Sequence, residues 1–274
     1  SELDEIADKK TKNWWENYVK HNTKFRGVGI PKIREKLKEW HKKEEIKKLP
    51  LDEQLDLALS FFDEEYAEDK LAGILFLQYY LYNKFDWQLL LKKFENLFKN
   101  DYIYDWNICD WFCVRVLGPM IKENGMLCAK AISQWNNAKN VWQARCSIVA
   151  FANLTKQKEF TPLLLKSCSV LIKREERFAK TGVGWIMREL SKVDKKIVVD
   201  FINKNKNHFS KESLQNSVKY FNPAEKNKFK DKMKNKYFDK VTKRLKQAYP
   251  KLDSAYRLEF KNVFGAIGGY LNGH

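Results

Sequence analysis

The feature that most constrains this chain is the near-absence of strand signals. No sustained alternation of apolar and polar residues occurs, and no Asn-Gly or Asp-Gly turn stands between two such runs. Apolar residues recur instead at helical spacing almost everywhere. Residues 3–20 predict a first helix, which "FRGVGIP" breaks with two glycines and Pro31. A second is expected from about Pro31 to Trp40, with the proline in its favoured first turn. Pro50 opens another segment, whose leucines 51, 55, 57 and 59 include helical spacings. "AEDKLAGILFLQYYLY" is apolar nearly all round, which predicts a helix buried on more than one side. Further helices are expected at about 85–98, 104–117, 125–136, 139–153, 159–172, 174–191 and 194–203, with Gly118-Pro119 as a break. Helical segments joined by short polar stretches describe antiparallel helix pairs. Stacked pairs make an α-solenoid, so the expected fold is all-α. Trp106, Trp142 and Trp185 lie 36 and then 43 residues apart. Those intervals straddle the period of about 40–47 residues of HEAT-type repeats.

Charge narrows the partners. With 52 Lys+Arg against 35 Asp+Glu the formal net charge is +17, which calls for an anionic partner. Nucleic acid is the first candidate and an anionic membrane surface the second. Between Lys192 and Lys251 there are 18 Lys+Arg and 6 Asp+Glu, and a lysine occupies every second position from 226 to 236. That period suits neither an amphipathic helix nor a buried strand. It reads either as a solvated basic linker or as a phosphate-contacting tail, and the overall charge favours the tail. Beyond it, "DSAYRLEFKNVFGAIGGYLNG" predicts one more amphipathic helix, weakened by Gly265, Gly268 and Gly269.

The five cysteines form no CxxC pair and the four histidines are scattered, so no zinc-type ligand set is expected. Buried, reduced thiols in a cytosolic protein are the expectation. "SELDEIADKK" is too polar for a signal peptide, and no apolar run approaches the ~20 residues of a bilayer span. A soluble protein of the cytoplasm, or of the nucleus in a eukaryote, is expected.

Three tryptophans have a charged neighbour one helical turn away. Trp106 and Asp110 stand at i and i+4, Trp142 and Arg145 at i and i+3, and Trp185 and Arg188 likewise. Both spacings bring two side chains to one helix face. Any one such pair is ordinarily a core indole capped by a solvated arginine. Three at repeat-like spacing in a strongly basic chain would line one surface with aromatic, cationic and single acidic groups.

In order along the chain, "NYVKHNTKFRGVGIPKIR", "WNICD", "VWQARCSIVA" and "FAKTGVGWIMREL" resemble the AlkD-like DNA alkylation repair glycosylases, a family of HEAT-like α-solenoids. The resemblance covers roughly residues 14–221. It divides the chain into a glycosylase domain, 1–221, and a Lys-rich helical C-terminal extension, 222–274. It implies catalytic roles for Asp110, Trp106 and Trp185, and DNA contacts from Tyr18, Arg145 and Arg188 on a concave basic face. Asp105 stands where members often carry a second aromatic, and Asn107 where many carry an acid.

The resemblance also implies the reaction: hydrolysis of the N-glycosidic bond of cationic alkylated purines, N3-methyladenine and N7-methylguanine, in duplex DNA. A positively charged purine leaves as a neutral base, so no general acid is needed where ordinary glycosidases use two carboxylates. Asp110 would stabilise the oxocarbenium ion and orient water. No metal or other cofactor is implied, nor a Schiff-base lysine, and a monomer suffices to hold a duplex. A HEAT-like protein that binds damaged or unusually shaped DNA without catalysis is the alternative. A scaffold for an acidic protein is a third reading, which leaves the ordered motifs unexplained.

Overall fold

The computed structural model describes residues 2–229, the short stretches 243–244 and 247–248, and two strands at 258–263 and 266–271. The chain divides into two compact units, Ser1–Ser217 and Val218–His274.

The first unit contains α1 (Lys9–Tyr18), α2 (Ile30–Lys43), α3 (Leu51–Ser60), α4 (Ala67–Phe76), α5 (Trp87–Lys99), α6 (Trp106–Phe112), α7 (Gly118–Ser133), α8 (Val141–Val149), α9 (Thr161–Leu171), α10 (Arg177–Ser191), α11 (Lys195–Lys204) and α12 (Lys211–Ser217). The packing has a simple rule. From α2 to α12 each even-numbered helix packs on the next even one, while α5 packs on α7 and α7 on α9. Two rows of helices, each row self-contacting, are the layers of the all-α solenoid that the segment spacing predicts. Asx caps start several members: Asp8, Asp86, Asp105, Asn140 and Asp194 each accept hydrogen bonds from backbone N–H groups of the first turn.

Phe112 of α6 is fully buried between Phe62 and Phe94, both edge-on, with centroids 5.9 and 5.0 Å away. Every residue of α4 is buried, as its all-round apolar character predicts. Its first turn nevertheless carries three charges. Glu68 accepts from the backbone N–H groups of Arg26, Gly27 and Val28, and Asp69 pairs with Arg26 at 2.7 Å. Lys70 donates to the carbonyls of Phe62 and Tyr102. These charges are buried because each is paired or hydrogen-bonded, and Glu68 and Asp69 pin the 26–28 turn against the start of α4. Gly27 is required in that turn: its φ is +104°, and a Cβ there would lie 2.2 Å from the Asp8 carbonyl oxygen.

Two expectations for this unit need correction. The helix expected over 3–20 is a 3₁₀ turn (Asp4–Ile6) and then α1, separated by an extended Asp8 that caps Thr11. Gly118-Pro119 is not a break: a π-helical turn, Cys113–Leu117, joins α6 to α7, and Pro119 falls in the first turn of α7 where its missing N–H is harmless. The irregularity lies at Gly125, whose φ of 66° and ψ of −148° kink α7. The sequence reading also missed α12. Its buried positions are Ser213, Leu214 and Ser217, so it has almost no apolar period. It packs by close approach instead: a Cβ on Gly184 of α10 would lie 2.7 Å from the Ser213 carbonyl oxygen.

In the second unit, α13 (Pro223–Asn227) begins with a reciprocal capping box between Asn222 and Glu225. Strands β1 (Leu258–Val263) and β2 (Ala266–Leu271) pair antiparallel, Leu258 opposite Leu271 and Val263 opposite Ala266. This hairpin replaces the helix expected there, so the extension is not wholly helical. The paired glycines cost a helix about 1 kcal/mol each, while Phe260, Val263, Ile267 and Tyr270 favour a strand. The alternate-lysine run lies outside the described residues from Lys230 onward. Among the described residues, no helix is long and apolar enough to cross a membrane.

Candidate functional site

The site begins at a cap. Asp105 accepts from the backbone N–H groups of Asn107 at 2.7 Å and Ile108 at 3.1 Å, and from the Thr23 hydroxyl at 2.9 Å. It is 2% exposed, and burial pushes its carboxyl pKa up. The residue that departs from the expected aromatic is therefore the anchor that starts α6. One and five residues on, Trp106 and Asp110 face a cleft of about 600 Å³. Tyr18, Arg145, Trp185 and Arg188 line the same cleft, so all six residues singled out in the sequence converge. They come from α1 and from three successive even-numbered helices, α6, α8 and α10, with α12 adding Glu212 and Asn216.

Asp110 lies on the cleft floor with 13% of its side chain exposed. Arg145 clasps it with two parallel bonds, Nε to Oδ1 at 2.7 Å and Nη2 to Oδ2 at 2.9 Å. Nη1 of Arg145 donates to the Phe178 carbonyl at 2.7 Å and to the Thr181 hydroxyl at 3.3 Å. With 5% of its side chain exposed and its donors spent on three partners, this guanidinium belongs to the floor. In this geometry Arg145 is the counter-charge to Asp110. Gly182 leaves the space for it, since a Cβ there would stand 3.0 Å from Nη1. Burial pushes the Asp110 carboxyl up to about 6, against the lowering effect of Arg145, so it is ionised at neutral pH. Arg145 is held above its already high value by the carboxylate, against the cost of its own burial.

The walls are aromatic. Tyr18 meets Trp106 edge-on at 5.2 Å, and Arg188 sits over the Trp185 ring at 5.8 Å. Arg188 is tied by Glu189 at 2.9 Å and Asn216 at 3.3 Å but keeps 23% of its side chain exposed, so it can still reach an anion. Trp142 departs from the pattern of the other two indoles. It packs on Phe178, centroids 4.8 Å apart, and does not line the cleft, although Arg145 one turn on does. The sequence reading also missed Arg177 and Glu212, which pair across the rim at 2.7 and 2.8 Å, and the cleft residues Phe178, Thr181 and Asn216. The "ERF" ahead of the GVGW motif was the available signal for Arg177 and Phe178.

On the core side of α6, the π turn that follows it and α8, Cys109, Cys113 and Cys146 bring their sulfurs within 4.8 Å of one another. Cys109 and Cys146, the immediate neighbours of Asp110 and Arg145, are 3.6 Å apart. Among the described residues this is the one cluster with the donor set for a metal ion, and its ligands are soft thiols. A second pocket, of about 400 Å³ between α2 and α4, is lined mainly by Leu3, Ile33, Leu37, Trp40 and Phe61, with no comparable cation array.

A solved structure titled "Predicted DNA alkylation repair enzyme from Enterococcus faecalis" has a similar fold, with a TM-score of 0.66 at 18% identity, over 79% of this chain and 97% of that one. No curated protein matches the sequence. The family model of the DNA alkylation repair enzymes matches residues 1–221. With its two-layer solenoid and that match over most of its length, the chain belongs to the DNA alkylation repair enzyme family.

Proposed function

We propose that the protein is a monofunctional DNA glycosylase that hydrolyses the N-glycosidic bond of cationic alkylated purines, N3-methyladenine and N7-methylguanine, in duplex DNA. The observation that carries this reading is the Asp110–Arg145 pair at the floor of a cleft walled by Trp106, Tyr18 and Trp185. Breaking the C1′–N bond of a cationic purine develops positive charge on the deoxyribose. The carboxylate is the more exposed end of the ion pair, so the negative pole of its dipole faces the cleft. Each carboxylate oxygen keeps a lone pair beyond the one Arg145 uses, which can orient the attacking water. The indole faces of Trp106 and Trp185 add cation–π stabilisation of about 0.5–2 kcal/mol each, depending on desolvation. Arg188 is the cation best disposed for a flanking phosphate, and Tyr18 supplies a wall from the first helix.

A second reading draws on the same pair. An aspartate held by both oxygens is also a structural tie between α6 and α8, and Arg145 removes the charge repulsion that would otherwise disfavour an acid beside phosphates. A DNA-binding protein without catalysis could therefore keep it. Release of free base from duplex DNA carrying N7-methylguanine separates the two readings. The expected outcome is release by the wild-type protein and a fall of about 10²–10³-fold in Asp110→Asn, with duplex affinity retained. Duplex binding without base release, on N3-methyladenine as well, leaves the binding-only reading.

A further inference from the structure

The two adjacent tryptophans of α1 have opposite surroundings. Trp15 stacks on the buried Phe25, centroids 5.5 Å apart and rings 7° from parallel, and anchors the helix. Trp14 is 57% exposed. An indole left so far in water contributes little to folding, so core packing does not account for it. Among the described residues its face-to-face partner is Tyr18, at 5.1 Å and 14°, itself 53% exposed. Tyr18 in turn meets Trp106 in the cleft. The rings of Trp14, Tyr18 and Trp106 thus form one aromatic path from the Asp110 floor outward. Lys10, also exposed, stands four residues before Trp14, so Lys10, Trp14 and Tyr18 occupy one row of the helix at i, i+4 and i+8.

We propose that Trp14 is a stacking platform for a nucleobase unstacked from the duplex beside the cleft. A cation followed by aromatic rings along one track is the arrangement by which proteins hold unpaired nucleic acid: the cation follows the backbone and each ring takes a base face. Stacking suits this position because every base has a π-face, and no hydrogen-bonding partner need be matched. The net charge of +17 and the continuity of the path with the cleft favour a nucleic acid over an apolar peptide or a lipid surface as the occupant. The inference rests on the reading that the cleft receives duplex DNA, and it extends the contact beyond the lesion's own sugar. It makes Trp14 a determinant of which distorted duplexes are held, separate from the chemistry at Asp110.

The test uses the full chain and two duplexes of equal length. One is fully paired, and the other carries 2-aminopurine opposite an abasic-site analogue. Wild-type protein is expected to prefer the second duplex by about tenfold and to quench its 2-aminopurine fluorescence. Trp14→Ala and Trp14→Leu should both lose that preference and the quenching while keeping their affinity for the paired duplex. The leucine variant retains apolar bulk without a π-face and serves where the alanine variant is unstable. Equal effects on both duplexes, no effect on either, or full preference in Trp14→Leu would overturn the proposal. Base release from N7-methylguanine DNA is measured alongside and should be unchanged in Trp14→Leu. If the wild-type protein releases no base yet the selective loss is seen, this inference stands and the glycosylase reading falls.

Discussion

The floor and the rim of the cleft solve the same problem, holding charged side chains near an anionic ligand, in opposite ways. On the floor, Arg145 and Asp110 are nearly sealed from water, with 5% and 13% of their side chains exposed, and Arg145 has a second set of bonds to α10. On the rim, Arg177 and Glu212 make an equally short bidentate contact, but with 63% and 51% exposed. The bond lengths hardly differ. The dielectric does, and with it both the cost of losing a partner and the freedom to change partners. The floor is built to keep one geometry; the rim can exchange its internal ion pair for a phosphate at little cost.

The largest expected consequence of this contrast concerns stability. Arg145→Ala strands Asp110 in a poorly solvated site and should destabilise the protein by about 3–5 kcal/mol, read as a lowered denaturant midpoint. A loss below about 1 kcal/mol would put the floor in the same class as the rim and break the comparison. Next is the pH response. Because burial raises Asp110 to about 6, the carboxylate takes up a proton as pH falls through that value. Base release should therefore drop roughly tenfold per pH unit below about 6, in the pH profile of kcat/KM. A rate level down to pH 5 would show that the guanidinium prevails over burial, and would sharpen the view of the floor as a locked ion pair. The smallest effect belongs to the rim. Arg177→Ala should change stability by no more than about 0.5 kcal/mol, since exposed pairs contribute little. It should also lower the slope of duplex affinity against salt by about one counterion. An unchanged salt slope would remove Arg177 from the DNA surface.

Much of the scaffold was legible because helical order is local. The spacing that puts Trp106 and Asp110 on one face operates within a single turn, and both line the cleft. Locality also explains the failures. Trp142 and Arg145 have the same one-turn relation, yet Phe178, 36 residues further on, draws the indole away while the arginine stays. The seven-residue α12 is held by the close approach of its Ser213 backbone to Gly184, a contact with no hydrophobic period to detect. The π turn at Cys113–Leu117 carries the chain through a glycine-proline pair that ordinarily ends a helix. At the far end, the stretch with helical spacing is a hairpin, where glycines and β-formers outweigh a weak amphipathic pattern.

From residue order alone came the helical character of the first unit, the repeat spacing and the family motifs, because each depends on neighbours within a few turns or on the order of motifs along the chain. The partner of Arg145 came only from the packed structure. Its guanidinium could face a phosphate or a carboxylate with equal chemical sense. The choice was made by Asp110, 35 residues earlier on the neighbouring helix, and by the space left at Gly182. A buried charge takes whichever opposite charge the fold brings within reach, and that proximity is a property of packed helices, which no spacing within one of them encodes.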